Sequence, residues 1–509
     1  MGARKNVPAI IMVLAACWSC MVASNSVEPP SHAGSSIAPA SIDPAQLTFS
    51  RLFGVQELFW NENITGANQA IAIIDTGINA SHPAFAGKTV YWKDATNESY
   101  ATARDISGHG TMCASIVAGN ATDFKGFAPD ADIAAIKMFF LDQGEANAEN
   151  PEADAAISYL LANAATMHVK VASLSWGDDN QSDGNDHLSH STEQLVDAGI
   201  TTVVAQGNFA GSLDHVAAPG TSRKVITVGA LDQYYFRVAS FSLPGPTSDG
   251  RIKPDIIAPG VEILGANANT NGYKTGSGTS FATPIVAGIA ALLHEKYPGL
   301  SHYQLKNLFC LTALECQFTN GDPDVNEGWG IVNPAGVVMA KESTWNKTAP
   351  IFVQIAMNRS MTRSFFTRVA LNSGITHQIS INYMDPASHL PMDASSIFQA
   401  YIFSEAGDEY GVPRLLAKSH DGRLLFSPLE EGTYILAIKP LPSAWYLNEG
   451  DLAIDIEVVW SQSLIIQLSW IIGISLAGSA VALVLVMERV LINEWKELKK
   501  SRMNAFLSF

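Results

Sequence analysis

The amino-acid sequence predicts an α/β domain whose parallel sheet has helices on both faces, then an antiparallel β-sandwich and a single C-terminal transmembrane helix. Strand-like apolar runs alternate with helical stretches over residues 70–338, which is typical of a parallel sheet with crossover helices. Short runs with a period of two follow over residues 352–459, as expected for an antiparallel sandwich. The uncharged apolar run 464–487 is long enough to span a bilayer.

The N-terminal residues have the layout of a secretory signal. Two basic residues precede the apolar stretch 7–18 and small residues follow it, so we predict a signal peptide over residues 1–24. Cleavage before Cys17 is the alternative, because the residues that lead to it resemble a lipoprotein box. Residues 25–51 are rich in Pro, Ser and Ala and are predicted to form a linker or a short pro-segment.

Residues 52–342 are predicted to form the α/β domain, and their apolar runs give its elements. Strands are predicted at residues 70–74, 133–138, 169–174, 201–205 and 225–228. Helices are predicted near residues 111–117, 153–165 and 282–293. In such a sheet ligands bind at the ends of the strands, so functional residues are expected there.

Residues 343–460 are predicted to form the β-sandwich. Their period-two runs are broken by Gly and Pro turns and lie at residues 378–383, 397–403 and 433–438. A chain of 509 residues has room for this second domain, because single cores usually stop growing near about 250–300 residues.

The apolar run 464–487 is predicted to anchor the protein in a membrane. Lys and Arg concentrate in the tail 488–509, which places that tail in the cytoplasm and the preceding domains outside. A buried core helix is the alternative for the run, and a lipid-anchor signal is disfavoured because a charged tail follows.

The formal net charge of −17 argues against nucleic acid as a partner and favours a soluble ectodomain. Glycosylation sequons fit an extracellular location. They begin at Asn63, Asn79, Asn97, Asn120, Asn180, Asn346 and Asn358.

Three segments supply the residue types of a nucleophilic serine site. Asp75 ends a predicted strand, His109 opens a helix between two glycines, and Ser280 lies between a Gly-rich turn and an apolar helix. A serine hydroxyl needs an imidazole to take its proton and a carboxylate to hold that imidazole. Taken alone, Ser280 is more often a helix N-cap. Together the three residues predict a catalytic triad.

The order Asp, His, Ser along the chain is that of subtilisin. The chain resembles the subtilisin-like serine proteases over residues 53–338, and the segments 201–208, 248–261 and 326–334 are also similar to that family. The resemblance implies a subtilisin-like fold and an endopeptidase that forms an acyl-enzyme with Ser280 and cuts polypeptides.

The resemblance also assigns residues around the triad. It implies that Asn208 donates a hydrogen bond to the oxyanion, a role that requires donors aimed at the developing charge; the alternative for Asn208 is a turn residue. The run of Leu174, Ser175, Trp176 and Gly177 resembles the edge that pairs with an extended substrate.

Several residues depart from the family pattern. Met112 stands where many relatives have histidine, Phe281 where methionine is usual, and Gln206 where a small residue is usual. Cys113 follows His109 on the same helix, and we interpret it as a buried apolar thiol rather than a catalytic or metal-binding one.

The resemblance implies no cofactor for the chemistry, and it implies that structural calcium can bind. Oxygen ligands suit calcium, and the candidate carboxylates lie in the loop 178–186 and at Asp322 and Asp324. Solvated acidic loops are the alternative. We further hypothesise a disulfide between Cys310 and Cys316, because the predicted compartment is oxidising.

The sandwich adds a looser resemblance. Its run 432–434, which follows residues 423–427, resembles pre-peptidase C-terminal domains of secreted proteases. The expected function is therefore a membrane-anchored extracellular serine endopeptidase. Its rivals are an exopeptidase and a binding protein built on a silent protease scaffold, because a fold alone does not determine function.

Overall fold

The computed structural model describes residues 53–178, 181–208, 215–316, 322–347, 349–356, 364–384, 391, 397–419, 422–442 and 453–462. The predicted signal peptide (1–24), linker (25–51), membrane span (464–487) and tail (488–509) lie outside these ranges. Within them, no helix combines the length and the apolar character needed to cross a bilayer.

The N-terminal domain is built on a largely parallel sheet. Its strands are β1 (Ala70–Asp75), β2 (Val90–Asp94), β3 (Asp132–Lys137), β6 (Val169–Leu174), β7 (Thr201–Ala205), β8 (Ile226–Asp232), β9 (Arg237–Val238) and β10 (Ile256–Pro259). In the described part of the chain they are ordered β10-β8-β7-β6-β1-β3-β2, and the short β9 pairs antiparallel with β8. Two hairpins accompany them: β4 (Phe140–Asp142) with β5 (Glu145–Asn147), and β11 (Ile263–Ala266) with β12 (Tyr273–Gly276).

Helices cover both faces of this sheet, as the sequence predicted. They are α1 (Val55–Leu58), α2 (His109–Ala118), α3 (Asn150–Asn163), α4 (His187–Asp197), α5 (Thr279–Lys296), α6 (His302–Thr312) and α7 (Pro334–Glu342), with 3₁₀ turns at Trp60–Glu62 and Pro83–Phe85. Alternate residues of β1 point to opposite faces. Ile71 and Ile73 pack with α2 and α5, whereas Ala72 and Ile74 pack with α3 and α4. This double burial explains why the strands are continuous apolar runs.

The C-terminal domain is the predicted β-sandwich. Its strands are β13 (Thr344–Trp345), β14 (Ile351–Ala356), β15 (Phe365–Leu371), β16 (His377–Met384), β17 (Phe398–Ser404), β18 (Leu415–Lys418), β19 (Arg423–Phe426), β20 (Gly432–Pro440) and β21 (Ala453–Gln462). Among the described residues, one sheet has the order β13-β15-β20-β17-β18 and the other β14-β21-β16-β19, and residues from both sheets share one apolar cluster. All pairs are antiparallel except β13 with β15.

The two domains share a hydrophobic core. Phe366, Tyr401 and Phe403 belong to the same buried cluster as the apolar residues of α5 and α6. Polar contacts reinforce this junction, because Lys439 Nζ donates to Ala313 O at 2.9 Å. The sandwich is therefore packed against the α/β domain as part of its core.

This packing predicts that the two domains unfold together. Phe403 is fully buried, and its ring lies 6.2 Å from that of Trp329. Phe403→Ala is expected to lower the free energy of unfolding by about 3–5 kcal/mol, because it removes apolar contacts and leaves a cavity. Leu429, which is 96% exposed, is the matched control, and Leu429→Ala should have little effect. Thermal unfolding should show one transition, and two transitions with only one shifted by Phe403→Ala would contradict this account.

The hypothesis of a disulfide between Cys310 and Cys316 is wrong for this structure. Both cysteines are free and buried. Cys310 lies in the last turn of α6, where its thiol faces Asp255 O at 3.9 Å, whereas Cys316 follows the end of that helix. The two thiols thus lie in different surroundings despite their short spacing in sequence.

Candidate active site

Three elements bring the predicted triad residues to one edge of the sheet. Strand β1 ends at Asp75, helix α2 begins at His109, and Ser280 is in the first turn of α5. The glycines beside His109 permit this approach. A Cβ on Gly110 would lie 2.2 Å from Gly77 O, so a larger residue there would push the helix away from the strand.

Asp75 and His109 form a buried hydrogen-bonded pair. His109 Nδ1 lies 2.8 Å from Asp75 Oδ1, and the two side chains are only 7% and 2% exposed. Because a carboxylate only accepts hydrogen bonds, Nδ1 carries the proton and Nε2 is left as the basic nitrogen. Thr76 N donates to the same Oδ1 at 2.7 Å, which fixes the carboxylate.

The surroundings of His109 shift its pKa in opposing directions. Burial of the ring is the largest single effect and lowers the pKa of His109, but the Asp75 carboxylate and the Cys113 side chain together raise it, and the net pKa lies well above 6.5. Burial also raises the pKa of the Cys113 thiol above 9.0. The thiol is therefore neutral at neutral pH.

The Ser280 hydroxyl is directed at the predicted substrate edge. Its Oγ donates to Ser175 O at 3.0 Å, and no hydrogen bond joins it to His109 among the described residues. Catalytic hydrogen bonds are often long or misaligned before substrate binds. A rotation of the Ser280 side chain about its Cα–Cβ bond would direct the hydroxyl away from Ser175 O.

Cys113 is fully buried, as the sequence predicted, and it contacts the His109 ring. Within the described ranges, one group of three His, Cys, Asp or Glu side chains lies close enough together to share a metal ion. It consists of Asp75, His109 and Cys113. The sulfur lies 3.8 Å from Nδ1 and 3.9 Å from Nε2, so it packs against the ring rather than along a nitrogen lone pair. Together with the neutral thiol, this geometry fits packing better than metal binding.

Asn208 lies beside the start of α5. Its Oδ1 accepts hydrogen bonds from Thr279 N at 2.8 Å and from Thr279 Oγ1 at 3.1 Å. With its oxygen used in this way, the side-chain NH₂ group is the remaining polar function. Gly207 precedes it with φ 105°, a conformation that favours glycine. The amide is therefore oriented next to the backbone of Ser280.

The predicted substrate edge follows β6. Leu174 ends that strand, and the Trp176 indole is buried and donates to Ile74 O at 2.9 Å. A Cβ on Gly177 would lie 2.9 Å from the methyl group of Ala217. Ser175 O accepts the hydrogen bond from the Ser280 hydroxyl. The edge is thus held tightly and lies next to the candidate nucleophile.

Two of the acidic candidates for calcium have other partners, and Asp179 lies outside the described residues. Asp186 caps α4 by accepting from Ser189 N at 2.8 Å, and Asp324 accepts from Asn326 N at 2.7 Å and Glu327 N at 2.8 Å. Calcium binding stays a prediction that these contacts do not favour.

Sequence reasoning missed two residues that hold this site together. Thr279 orients Asn208, and Asp105 accepts hydrogen bonds on both sides of the Asp75–His109 pair. The position of Asp105 shortly before a helix start is a typical capping signal and could have identified it.

Comparisons with known proteins identify the family to which the chain belongs. The model of the subtilase family matches residues 66–331. Serine protease AprX of Bacillus subtilis is 34% identical over 299 residues, which is 53% of this chain and 66% of AprX. Subtilisin DY of Bacillus licheniformis is 35% identical over 273 residues, which is 53% of this chain and 90% of that protein.

Longer relatives match only in part. The chain spans 24% of the subtilisin-like protease SBT6.1 of Arabidopsis thaliana, at 34% identity over 272 residues and 50% of this chain.

Among solved structures, sphericase is 29% identical with a TM-score of 0.46, and the match covers 56% of this chain and 98% of sphericase. The family match covers more than half of the sequence and contains all three triad positions. The chain therefore belongs to the subtilase family of serine proteases.

Proposed function

We propose that this protein is a serine endopeptidase in which Ser280 is the nucleophile, His109 the general base and acid, and Asp75 the residue that orients the imidazole. The observation that carries the proposal is the buried 2.8 Å contact between Asp75 Oδ1 and His109 Nδ1 at the sheet edge where α5 presents Ser280. This contact leaves His109 Nε2 basic, as the chemistry requires. Family membership supports the same roles.

The proposed reaction has two halves. In the first, Ser280 Oγ attacks the carbonyl carbon of the scissile peptide while His109 Nε2 takes the hydroxyl proton. The tetrahedral intermediate then collapses, and His109 gives that proton to the leaving amine as the C–N bond breaks. In the second half, a water molecule attacks the acyl-enzyme with the same proton transfers and restores Ser280.

The carbonyl oxygen gains negative charge in each intermediate. The Asn208 NH₂ group and the Ser280 backbone N–H are the proposed donors, since Thr279 orients the amide next to the start of α5. Donors that are already in place stabilise this charge without reorganisation.

Removing the Asn208 donor should therefore slow catalysis. Asn208→Ala is expected to lower kcat by about 10²–10³ with KM nearly unchanged, a magnitude taken from the equivalent asparagine of subtilisin. Asn208→Asp retains an oxygen for Thr279 but lacks the donor, so it should lose at least as much. Steady-state kinetics on a peptide substrate checks both, and an active Asn208→Asp variant would exclude the donor role.

The pH profile should reflect the raised pKa of His109. The free enzyme needs a neutral imidazole. Burial lowers the pKa of His109, but the Asp75 carboxylate and the Cys113 side chain together hold it above 6.5. We therefore expect kcat/KM to fall as the pH drops through a midpoint above 6.5. The midpoint is read from kcat/KM between pH 5 and about 9, and one at or below 6.5 would contradict the assignment.

An endopeptidase cuts within chains, and the edge at residues 174–177 would pair with an extended segment. The test is digestion of an unfolded protein such as reduced casein, with the products sized by mass spectrometry. Internal fragments are expected from the wild type and none from Ser280→Ala. Single residues released from one end would favour an exopeptidase. A folded, unreactive protein would favour a binding scaffold.

We propose further that the protease domain is extracellular, glycosylated and held at the cell membrane by residues 464–487. The support is the uncharged run itself, the basic tail 488–509 and the signal-like residues 1–24. The full chain should stay in the membrane fraction after alkaline carbonate washing, whereas a chain that ends at residue 463 should be released. Equal release of both chains would contradict the anchor.

A further inference from the structure

Asp105 lies in the loop before α2, and its carboxylate accepts five hydrogen bonds. Oδ1 accepts from Thr76 Oγ1 at 2.8 Å, Ser107 N at 3.1 Å and Gly108 N at 2.7 Å. Oδ2 accepts from Thr111 N at 2.8 Å and Thr111 Oγ1 at 2.5 Å. Both oxygens are therefore fully used as acceptors.

The donors flank the two residues of the candidate pair. Thr76 follows Asp75 at the end of β1, and Thr111 lies in the first turn of α2 with His109. Thr76 Oγ1 also accepts from Gly110 N at 3.0 Å, which adds a second link between the same two elements. One carboxylate thus ties the strand that ends at Asp75 to the helix that begins at His109.

Asp105 also supplies the cap that α2 lacks. The N-cap residue is Gly108, which has no side chain to accept the free N–H groups of the first turn. Asp105 Oδ2 takes the Thr111 N–H instead, and its negative charge is favourable at a helix N-terminus. Asparagine could not make the same contacts. Whichever way its amide is oriented, the NH₂ group would face backbone N–H donors and could not accept their hydrogen bonds.

We propose that Asp105 is a positioning residue that holds His109 and Asp75 in the geometry for proton transfer. The inference rests on the proposed function, since it concerns the same reaction. Asp105 need not touch the substrate, because it acts through the two elements it joins. Loss of these links would let the start of α2 shift relative to β1, and a misplacement of about 1 Å can cost about a hundredfold in rate.

The test compares two aspartates that cap helices. Asp105→Asn is expected to lower kcat per active site by about 10–100-fold with KM nearly unchanged. Active sites are counted with a fluorophosphonate, so that misfolded protein does not contribute. The matched control is Asp186→Asn, because Asp186 caps α4, a helix without a candidate site residue. The control should lose thermal stability and keep its kcat.

Thr76 provides a second, independent variant. Thr76→Val removes the hydroxyl that joins Asp105 to Gly110 N and should lower kcat, whereas Thr76→Ser keeps the hydroxyl and should restore it. The double variant Asp105→Asn with Thr76→Val should lose little more than Asp105→Asn alone, because both break one network. If Asp105→Asn does not fold, the Thr76 pair decides alone.

Three results would overturn the inference. The first is an Asp105→Asn enzyme that loses stability as Asp186→Asn does but keeps its kcat. The second is a Thr76→Ser enzyme as slow as Thr76→Val. The third is an inactive wild-type protein, which would contradict the proposed function and therefore also the positioning role. This failure is distinguishable from the first two because it is seen in the wild type, without any variant.

Discussion

Replacing Ser280 with alanine is expected to lower kcat by about a millionfold, which is the loss known for removal of the subtilisin nucleophile. The reason is that no other group can form the acyl-enzyme. The residual rate should stay above that in water, because the donors around Asn208 still act on the developing oxyanion. Hydrolysis of a fluorogenic peptide at high enzyme concentration measures it.

The control for this variant is Ser173→Ala. Ser173 is also a buried serine, and its Oγ has no hydrogen-bond partner in the part of the chain that the structure describes, so its removal should leave activity and stability almost unchanged. Ser280→Ala loses one hydrogen bond, to Ser175 O, and should unfold within about 1 kcal/mol of the wild type. A folded Ser280→Ala protein with wild-type kcat would exclude Ser280 as the nucleophile.

Replacing Asp75 with asparagine should lower kcat by about 10⁴ near neutral pH, as the corresponding change does in a well-studied triad. Asp75 Oδ1 accepts from both Thr76 N and His109 Nδ1. An asparagine that keeps these bonds buries an NH₂ group at the Oδ2 position, which has no partner among the described residues. If its amide flips, the wrong imidazole tautomer is favoured.

Either orientation removes the charge that raises the pKa of His109. The acid midpoint of kcat/KM should therefore fall in Asp75→Asn. Asp94→Asn is the control for loss of a buried carboxylate, because Asp94 pairs with Lys137 at 3.3 Å and accepts from Thr96 N and Tyr100 N, none of which is a candidate site residue. That variant should lose stability and keep both kcat and the midpoint. An unchanged midpoint in Asp75→Asn would contradict the role given to Asp75.

The sequence predicted the elements that have the clearest periodicity. Strands such as β1 and helices such as α5 agree with the predicted bounds within a few residues because their apolar runs are uninterrupted. Strand β2 was missed, since it lies at the sheet edge and is only half buried. Helix α4 was missed as well, although its N-cap Asp186 is a recognisable signal.

The site was predictable as a set of residue types but not as a geometry. Asp75 and His109 do meet, because parallel strands end at one edge of the sheet. The Ser280 hydroxyl instead donates to Ser175 O, a rotamer choice that no sequence pattern encodes. Asp105 and Thr279 were missed because their roles consist of contacts with residues distant in sequence, Asp105 with Thr76 Oγ1 and Thr279 N with Asn208 Oδ1. For Asp105 the capping position before α2 was the one signal in the sequence.

The most direct test of the account is to locate the residue that a fluorophosphonate modifies. The folded domains are treated with the reagent, digested, and analysed by mass spectrometry. We expect one adduct on the peptide that contains Ser280, none in Ser280→Ala, and much slower labelling in His109→Ala. A folded wild-type protein that stays unlabelled, or an adduct on a serine other than Ser280, would contradict it.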